Sequence, residues 1–575
     1  MTKENGGNEQ KKAQLKDGQR GGGQRPNILV LCIDQWDVHM KLPDGVELPA
    51  LERLQQQGVT FDRHYCTVPI CTPSRATMWT GQHAKKVGLW DNTNFAWIPH
   101  GLSPDVPTLG TMLREQGYHT VFKGKWHLSE SQPGEDMLEP YGFSDYQGWG
   151  DMFGSPLQGE MLDGTVAMHA VDWLENKAPD VDQPWLLVAS MVNPHDIMYF
   201  YSDPEAEFRW GEGEPIMRPK LHGAQQLGFF EDWDPELPAN LHDDLSGQPP
   251  GVRSYQENIR LTYGAPPESR DDLWKARRNY LINCMRLVDA EFQKVLDALD
   301  RRGLWENTIV IYTSDHGEMN GAHQMHQKGA IHYDEAAVVN LTAVVPGGPQ
   351  GEKTGSVGSH LDLVPTLLDF AGVSEEERHS RYPQLRGRSL RGVIQQPDQT
   401  GPRGSAQQPG DGALITWDGL NMLDPQWNAT GAMGGLTDLG LDEAGLKEAL
   451  RKTGEEYGAP DFSRRTFFRA VVDGRYKLVR WFSPEEYVQP GTLNELYARS
   501  DVTLHDLRDD PGEMENLGSL DHPGYDPALV GQMLGKLTAL IEHELGEDDC
   551  PFDLNMFGTR EVKDKQAKAG ASGDD

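Results

Sequence analysis

Asn27-Ile28-Leu29-Val30-Leu31-Cys32-Ile33 runs without a break into Asp34 and Gln35. A mostly apolar run with no alternation reads as a strand covered on both faces. Two later runs share this design. Trp185 to Val192 (WLLVASMV) ends in Asn193, His195 and Asp196, and Thr308 to Thr313 (TIVIYT) ends at Asp315 and His316. Amphipathic helical stretches separate the runs, the pattern of an α/β protein with a largely parallel sheet. In such sheets ligands bind beyond the carboxyl ends of the strands. One aspartate after one strand is ordinary turn or cap chemistry. Three polar clusters delivered to one sheet edge point instead to a metal or a phosphate/sulfate site.

The remaining elements fill in around these strands. Helices are predicted over Pro49 to Gly58, Thr108 to Gln116, Val166 to Glu175, Asp271 to Arg302 and Leu361 to Ala371, and strands over Tyr118 to Lys123 and Leu341 to Val345. Between 200 and 270 the periodicity disappears and Pro, Gly, Trp and acidic residues take over. So long a stretch without regular pattern reads as an insertion over the mouth of the site. Phe200, Tyr201, Phe208, Trp210, Phe229, Phe230 and Trp233 in it either line a pocket for an aromatic or quaternary-ammonium group or pack the insertion down. Trp36, Trp90 and Trp97 are weaker pocket candidates. A hairpin is expected at Phe467 to Trp481, turning at Asp473-Gly474, and a helix at Pro527 to Leu545. The expected organisation is a disordered tail (1–25), a catalytic domain (26–395), a linker (396–412), a smaller domain (413–549) and a C-terminal tail (550–575).

Composition narrows the partners. The 575 residues are 37% hydrophobic and 25% charged, which fits a globular chain of more than one core. Lys plus Arg number 53 against 88 Asp plus Glu, a net charge of −35. That excess repels polyanions, so nucleic acid is excluded and heavily sulfated polysaccharide is disfavoured unless the pocket is locally basic. No apolar stretch reaches bilayer length, and Met1 to Arg25 has no apolar signal core. Five cysteines form no disulfide framework, as suits a reducing compartment. A cytoplasmic location without membrane attachment is the resulting expectation.

Two carboxylates, an amide and an imidazole suit a hard divalent cation, calcium or magnesium first and manganese next. Neither Cys-x-x-Cys nor His-Glu-x-x-His is present to encode zinc. Cys71-Thr72-Pro73-Ser74-Arg75 reads as the first turn of a helix that Gly81 ends. A helix N-terminus favours an anion, so Cys71 is either a thiolate nucleophile or a residue facing a bound oxyanion. Cys32 and Cys284 fit buried structural positions better. Lys123-Gly124-Lys125-Trp126-His127 ends a strand with two cations and an imidazole. His323, His326, Lys328 and His332 crowd one loop, as metal ligands or as surface histidines.

Cys71-Thr72-Pro73-Ser74-Arg75 with Thr80-Gly81 resembles the signature of type I sulfatases of the alkaline phosphatase-like superfamily. Further segments are similar in the family's order. They are Pro26 to Val30 with Asp34, Gly124 to His127, Asn193 to Asp196, Ser314 to Glu318 with Lys328-Gly329, His360 to Leu368, Gly474 to Lys477 and Leu507 to Glu513. The resemblance implies an alkaline phosphatase-like sandwich with a smaller C-terminal α+β domain. It also implies sulfate monoester hydrolysis, with Cys71 oxidised by a formylglycine-generating maturation enzyme and a covalent sulfo-enzyme hemiacetal on the path. By this resemblance Asp34, Gln35, Cys71, Asp315 and His316 would hold one divalent metal, calcium by family, with manganese or magnesium as alternatives. Arg75 and Lys125 would hold and polarise the modified side chain, and His127 would be the base that regenerates the aldehyde. His195 and Lys328 would bind the sulfate oxygens and protonate the leaving alcohol. Gln35 and His316 depart from the Asp and Asn of many sulfatases. They resemble the phosphonate monoester hydrolase and choline-sulfatase side, which implies a cytoplasmic homo-oligomer and keeps phosphonate monoester or phosphodiester hydrolysis as the alternative. A non-catalytic anion-binding protein is the third reading, opposed by the intact residue set. The expected substrate is a small-molecule sulfate ester.

Overall fold

The computed structural model describes residues 25–558, apart from 99–100, 130–133, 149–151, 153, 203–229 and 438. The N-terminal tail to residue 24, the last residues 559–575, and Phe208, Trp210 and Phe229 lie outside the described residues. In chain order the strands are β1 (Asn27–Ile33), β2 (Val59–Tyr65), β3 (His119–Gly124), β4 (Gly134–Glu135), β5 (Gln147–Gly148), β6 (Trp185–Ser190), β7 (Thr308–Ser314), β8 (Leu341–Val344), β9 (Glu352–Ser359), β10 (Ala413–Trp417), β11 (Phe467–Val472), β12 (Tyr476–Phe482) and β13 (Asp501–Asp506). Seven of them form one sheet in the order β3-β6-β1-β7-β8-β2-β9, while β4 and β5 pair as a small ribbon. β3, β6, β1 and β7 run parallel. β8 is antiparallel to β7 and β2, and β9 is parallel to β2.

β1 shows why its sequence lacks alternation. Ile28, Val30 and Cys32 enter one apolar core, whereas Leu29, Leu31 and Ile33 enter the core on the other face. Both faces are covered, so both parities are apolar. The second core rests on the 32-residue helix Asp271–Arg302, which Gly303 closes in the left-handed conformation. β2 and β9 escaped the sequence reading for a physical reason. β2 (VTFDRHY) is only partly buried, and β9 (EKTGSVGS) is the sheet edge, where charge and glycine displace apolar side chains.

β10 to β13 form an antiparallel sheet with its hairpin turning at Asp473-Gly474 as expected. Gly474 has φ +105°, and a Cβ there would lie 2.5 Å from the Ser405 carbonyl, so only glycine fits. Leu414, Val471 and Leu478 on one face pack under the helix Pro527–Leu540. Ile415, Ala470, Val479 and Trp481 on the other face join the main core. The two sheets therefore share apolar interior.

The stretch 396–412 joins the sheets but is tied down. Buried Arg403 binds both carboxylate oxygens of Asp362 (2.7 and 2.9 Å) and Glu544 (2.7 Å). The segment after Cys550 packs inward at Phe552 and Phe557. In the 200–270 insertion, residues 230–249 carry no regular structure and a helix follows at Pro250–Tyr263. Phe200 stacks on Tyr280 at 4.3 Å and Trp233 lies beneath Arg286, so these aromatics fasten the insertion to the long helix. Among the described residues no helix is long and apolar enough to cross a membrane.

Removing Arg403 strands two buried carboxylates, and breaking a buried pair in this way costs about 3–5 kcal/mol. Arg403→Met should lower the urea midpoint accordingly without changing the denaturant slope. An unchanged midpoint would show that the segment is not an anchor.

Candidate active site

The parallel strands β1, β3, β6 and β7 all point their carboxyl ends the same way. Asp34 follows β1, Lys125 and His127 follow β3, His195 follows β6, and Asp315 and His316 follow β7. Cys71 opens the buried helix Cys71–Thr80, which Gly81 ends in the left-handed conformation. The Thr72 backbone N–H donates to Asn92 Oδ1 (3.1 Å), so an amide from outside the helix covers part of its first turn.

Asp34, Cys71, Asp315 and His316 place one ligand atom each within 4.8 Å of one another, all buried. Cys71 Sγ lies 3.1 Å from His316 Nε2 and 3.8 Å from Asp34 Oδ1. His316 Nε2 is 3.6 Å from both Asp34 Oδ1 and Asp315 Oδ1. Its Nδ1 faces the Gly317 carbonyl at 3.0 Å, which assigns the proton there and leaves the Nε2 lone pair facing the carboxylates. Burial by itself would lower the His316 imidazole, but Asp315, Cys71 and Asp34 raise it above its usual value. Two carboxylates and an imidazole nitrogen in this geometry fit a divalent cation.

Two cations hold the carboxylates in place. Arg75 donates from Nε to Asp315 Oδ2 (2.8 Å) and from Nη2 to Asp34 Oδ2 (3.0 Å). Its Nη1 donates to the Lys125 carbonyl (2.8 Å) and Ser190 Oγ (2.9 Å). Lys125 Nζ lies 2.7 Å from Asp34 Oδ2. Burial by itself would raise the Asp34 carboxyl, but the neighbouring Lys125 and Arg75 charges hold it well below the usual carboxylate range. Asp315 is pushed up by burial and by its neighbour Asp34. Burial, reinforced by nearby lysines, drives His127 and His195 far down, so both are neutral at pH 7.

In front of this cluster lies a cavity of about 270 Å³, lined by Cys71, His127, His195 and Lys328 at its inner end. Gly154 packs on the His195 ring, and a Cβ there would come within 2.3 Å of it. Gln35, which the resemblance implies as a ligand, lies beside the cluster. Its side-chain oxygen accepts from Lys328 Nζ, and its amide nitrogen donates to Glu318 Oε2. Only its backbone N–H reaches the cluster, at Asp315 Oδ1 (3.2 Å). Glu318 in turn pairs with Arg277 at 3.0 Å.

The structure also sorts the other candidates. Asp196 accepts from the Gly159 and Glu160 N–H groups at a helix start, a structural role. His323, His326 and His332 are buried, so the surface reading fails. His323 bonds Asp243 at 2.7 Å and His326 the Gly264 carbonyl at 2.6 Å. His332 meets His505 and Glu513, but Lys477 already pairs with Glu513 at 2.7 Å and supplies the positive charge there. Trp36, Trp90 and Trp97 pack in the interior, and the aromatic lining comes from Phe95, Tyr199 and Tyr263 instead. Sequence reasoning missed Ser190 and also Asp163, whose carboxylate holds the Val192 and Asn193 N–H groups after β6. It missed the amide-rich outer wall too, because lone asparagines in aperiodic segments carry no motif.

A parallel-sheet edge with a buried carboxylate–imidazole cluster, flanking cations and a cysteine at a helix start defines an ester hydrolase of the alkaline phosphatase-like class. Residues 26–373 match the Sulfatase family model. The chain belongs to the sulfatase family and is a sulfuric ester hydrolase. It is 30% identical to the uncharacterized sulfatase YidJ of Escherichia coli (strain K12), over 61% of this chain and 69% of that protein. It is 28% identical to the Delta 4,5-hexuronate-2-O-sulfatase of Bacteroides thetaiotaomicron, over 63% and 72%. The phosphonate monoester hydrolase of Agrobacterium radiobacter shares the fold, with a TM-score of 0.58, 20% identity and 90% and 95% coverage.

Gln35→Ala removes the acceptor from Lys328 and a donor from Glu318. Loss of such an orienting partner costs about 10–100-fold. The expected result is that drop in kcat/KM with metal content, read by elemental analysis, unchanged. Loss of the metal would return Gln35 to the coordination shell.

Proposed function

We propose that this chain hydrolyses the sulfate monoester of a small alcohol, such as a sulfated sugar, using a formylglycine made from Cys71. One observation carries the reading. Among the described residues, Cys71 alone belongs both to the ligand cluster and to the cavity lining. The residue that touches substrate is thus the one placed against the metal ligands. When present, the divalent ion supplies Lewis acidity, and the hydrated aldehyde supplies the oxygen that attacks sulfur.

The chain's own residues do the rest. Arg75 and Lys125 fix the carboxylates and keep positive charge beside position 71, where negative charge develops. Lys328, steadied by Gln35, is the cation at the cavity's inner end and binds a sulfate oxygen. His195, neutral and buried, offers a hydrogen bond to the ester, and the leaving oxygen takes its proton from the His195–Lys328 side. His127, also neutral, is a competent base at pH 7 on the opposite flank. Asp34, Asp315 and His316 would hold the ion. Calcium is the family expectation, and the His316 imidazole with Gln35 turned aside favours manganese more than an all-oxygen shell would.

The second reading is phosphonate monoester or phosphodiester hydrolysis at the same site. It is favoured by Gln35 and His316, and by the fold shared with a phosphonate monoester hydrolase. Mass spectrometry of the Cys71 peptide should find an aldehyde in place of the thiol, and Cys71→Ala should lose at least ~10³-fold in kcat. An unmodified thiol in fully active protein would sink the formylglycine route. With aryl esters side by side, the sulfate should turn over faster than the phosphonate or phosphodiester, and the reverse order would install the second reading.

A further inference from the structure

The outer half of the cavity carries information that the hydrolytic residues do not use. Its walls come from the helix Pro250–Tyr263 and from residues 421–437, two segments far apart in sequence. Among the described lining residues Lys328 is the single charged side chain, at the inner end, since His127 and His195 are neutral. Among the described residues no Asp, Glu or Arg lines the rest. What lines it is amide and aromatic: Asn258, Asn421 and Asn428 with Phe95, Tyr199 and Tyr263.

The amides are held in known orientations. Asn428 Nδ2 donates to the Asn421 carbonyl (2.8 Å) and to Asn258 Oδ1 (3.2 Å). The Thr262 hydroxyl donates to the same Asn258 Oδ1 (3.1 Å). A backbone carbonyl cannot donate, so Nδ2 and Oδ1 of Asn428 are assigned without ambiguity. Asn258 and Asn428 are 2% exposed. The network leaves Asn428 Oδ1, Asn421 Oδ1 and Asn258 Nδ2 without hydrogen-bond partners among the described residues. Buried amide groups of this kind are expensive unless a ligand or water satisfies them.

We infer that this cavity selects a singly charged ester whose alcohol is one neutral, hydroxyl-bearing ring, a monosaccharide monosulfate, and discriminates against the same ring with a second anionic group. The inference rests on the sulfate-ester reading above. Ring hydroxyls both donate and accept, so they match two orphan oxygens and one orphan N–H. The apolar edges of such a ring suit Phe95, Tyr199 and Tyr263. A carboxylate or second sulfate is acceptor-only and would meet amide oxygens with no cation among the described outer lining residues to pair it. The volume, near the low end for small-molecule sites, suits one ring rather than a chain. The overall charge of −35 opposes polyanions at longer range.

The test compares hexose 6-sulfate and N-acetylhexosamine 6-sulfate with a hexosamine disulfate and a hexuronate 2-sulfate. The neutral-ring monosulfates should lead in kcat/KM by about 10²-fold or more. A disulfate or uronate within about threefold of them would overturn the inference. Asn428→Ala should lose at least tenfold more on hexose 6-sulfate than on 4-nitrophenyl sulfate, which has no hydroxyls (about tenfold per lost hydrogen bond). Equal losses on both would mean a structural role and overturn the assignment of Asn428. Asn258→Lys should move relative kcat/KM towards the disulfate. Calorimetric binding of the same sugars to Cys71→Ala separates the two failures. If monosulfates bind preferentially but no sulfate ester is turned over by the unsubstituted protein, the sulfate-ester reading falls and the selectivity stands. If the anionic sugars bind more tightly, the selectivity falls.

Discussion

The guanidinium of Arg75 sits without solvent contact between Asp34 and Asp315, and the rest of the site is arranged around that contact. Two carboxylates buried side by side repel, and each would otherwise take up a proton. Arg75 and Lys125 set two positive charges against the two carboxylates. A divalent ion would then make the pocket net positive and attractive to an anionic ester. Gln35 matters to that balance. An aspartate there would add a third negative charge, whereas the amide adds none and is engaged with Lys328 and Glu318.

This contact requires the sheet. Arg75 comes from a helix, Asp34 from the end of β1 and Asp315 from the end of β7, with 41 and 240 residues of sequence between each carboxylate and the arginine. Only adjacent parallel strands bring the two carboxylates together, and β1 pairs with β7 from Asn27–Thr308 to Ile33–Ser314. A one-residue slip of that register would carry Asp34 away from Asp315 and exchange the faces of β1 between two different cores. The apolar packing of β1 on both sides is thus what fixes the metal-ligand geometry.

Much of this could be read from the sequence because buried parallel strands write themselves as unbroken apolar runs. β1, β6 and β7 were evident, as were the residues after them and the helix that Cys71 opens. Signals failed where burial was one-sided or where polarity served structure. β2, β9, β10 and β13 were missed, since none is a long unbroken apolar run. The loop histidines looked like ligands because a histidine bonded to a buried carbonyl has the same letter as one facing a metal. Gln35 reads as a ligand by its place in the chain, whereas its contacts with Lys328 and Glu318 leave no mark there. The asparagine wall had no signature, because its residues meet only after the insertion helix and the segment after β10 fold against each other.

The C-terminal part is therefore more than a second domain attached to an enzyme. Asp91 shows the coupling. Its Oδ2 accepts from Trp97 Nε1 (2.9 Å) and from the Leu420 N–H (3.1 Å), joining the loop that carries Asn92, Asn94 and Phe95 to the segment that carries Asn421. Burial pushes its carboxyl up to about 7. The Ala96 N–H bonds the Leu436 carbonyl at 2.9 Å, and Phe95 bridges Thr437. These contacts fix one wall of the cavity to the other. The ligands of the hydrolytic cluster all lie before residue 317. Of the three amides of the outer wall, two, Asn421 and Asn428, lie beyond residue 420. Residues from both parts of the chain thus meet at the cavity in front of Cys71.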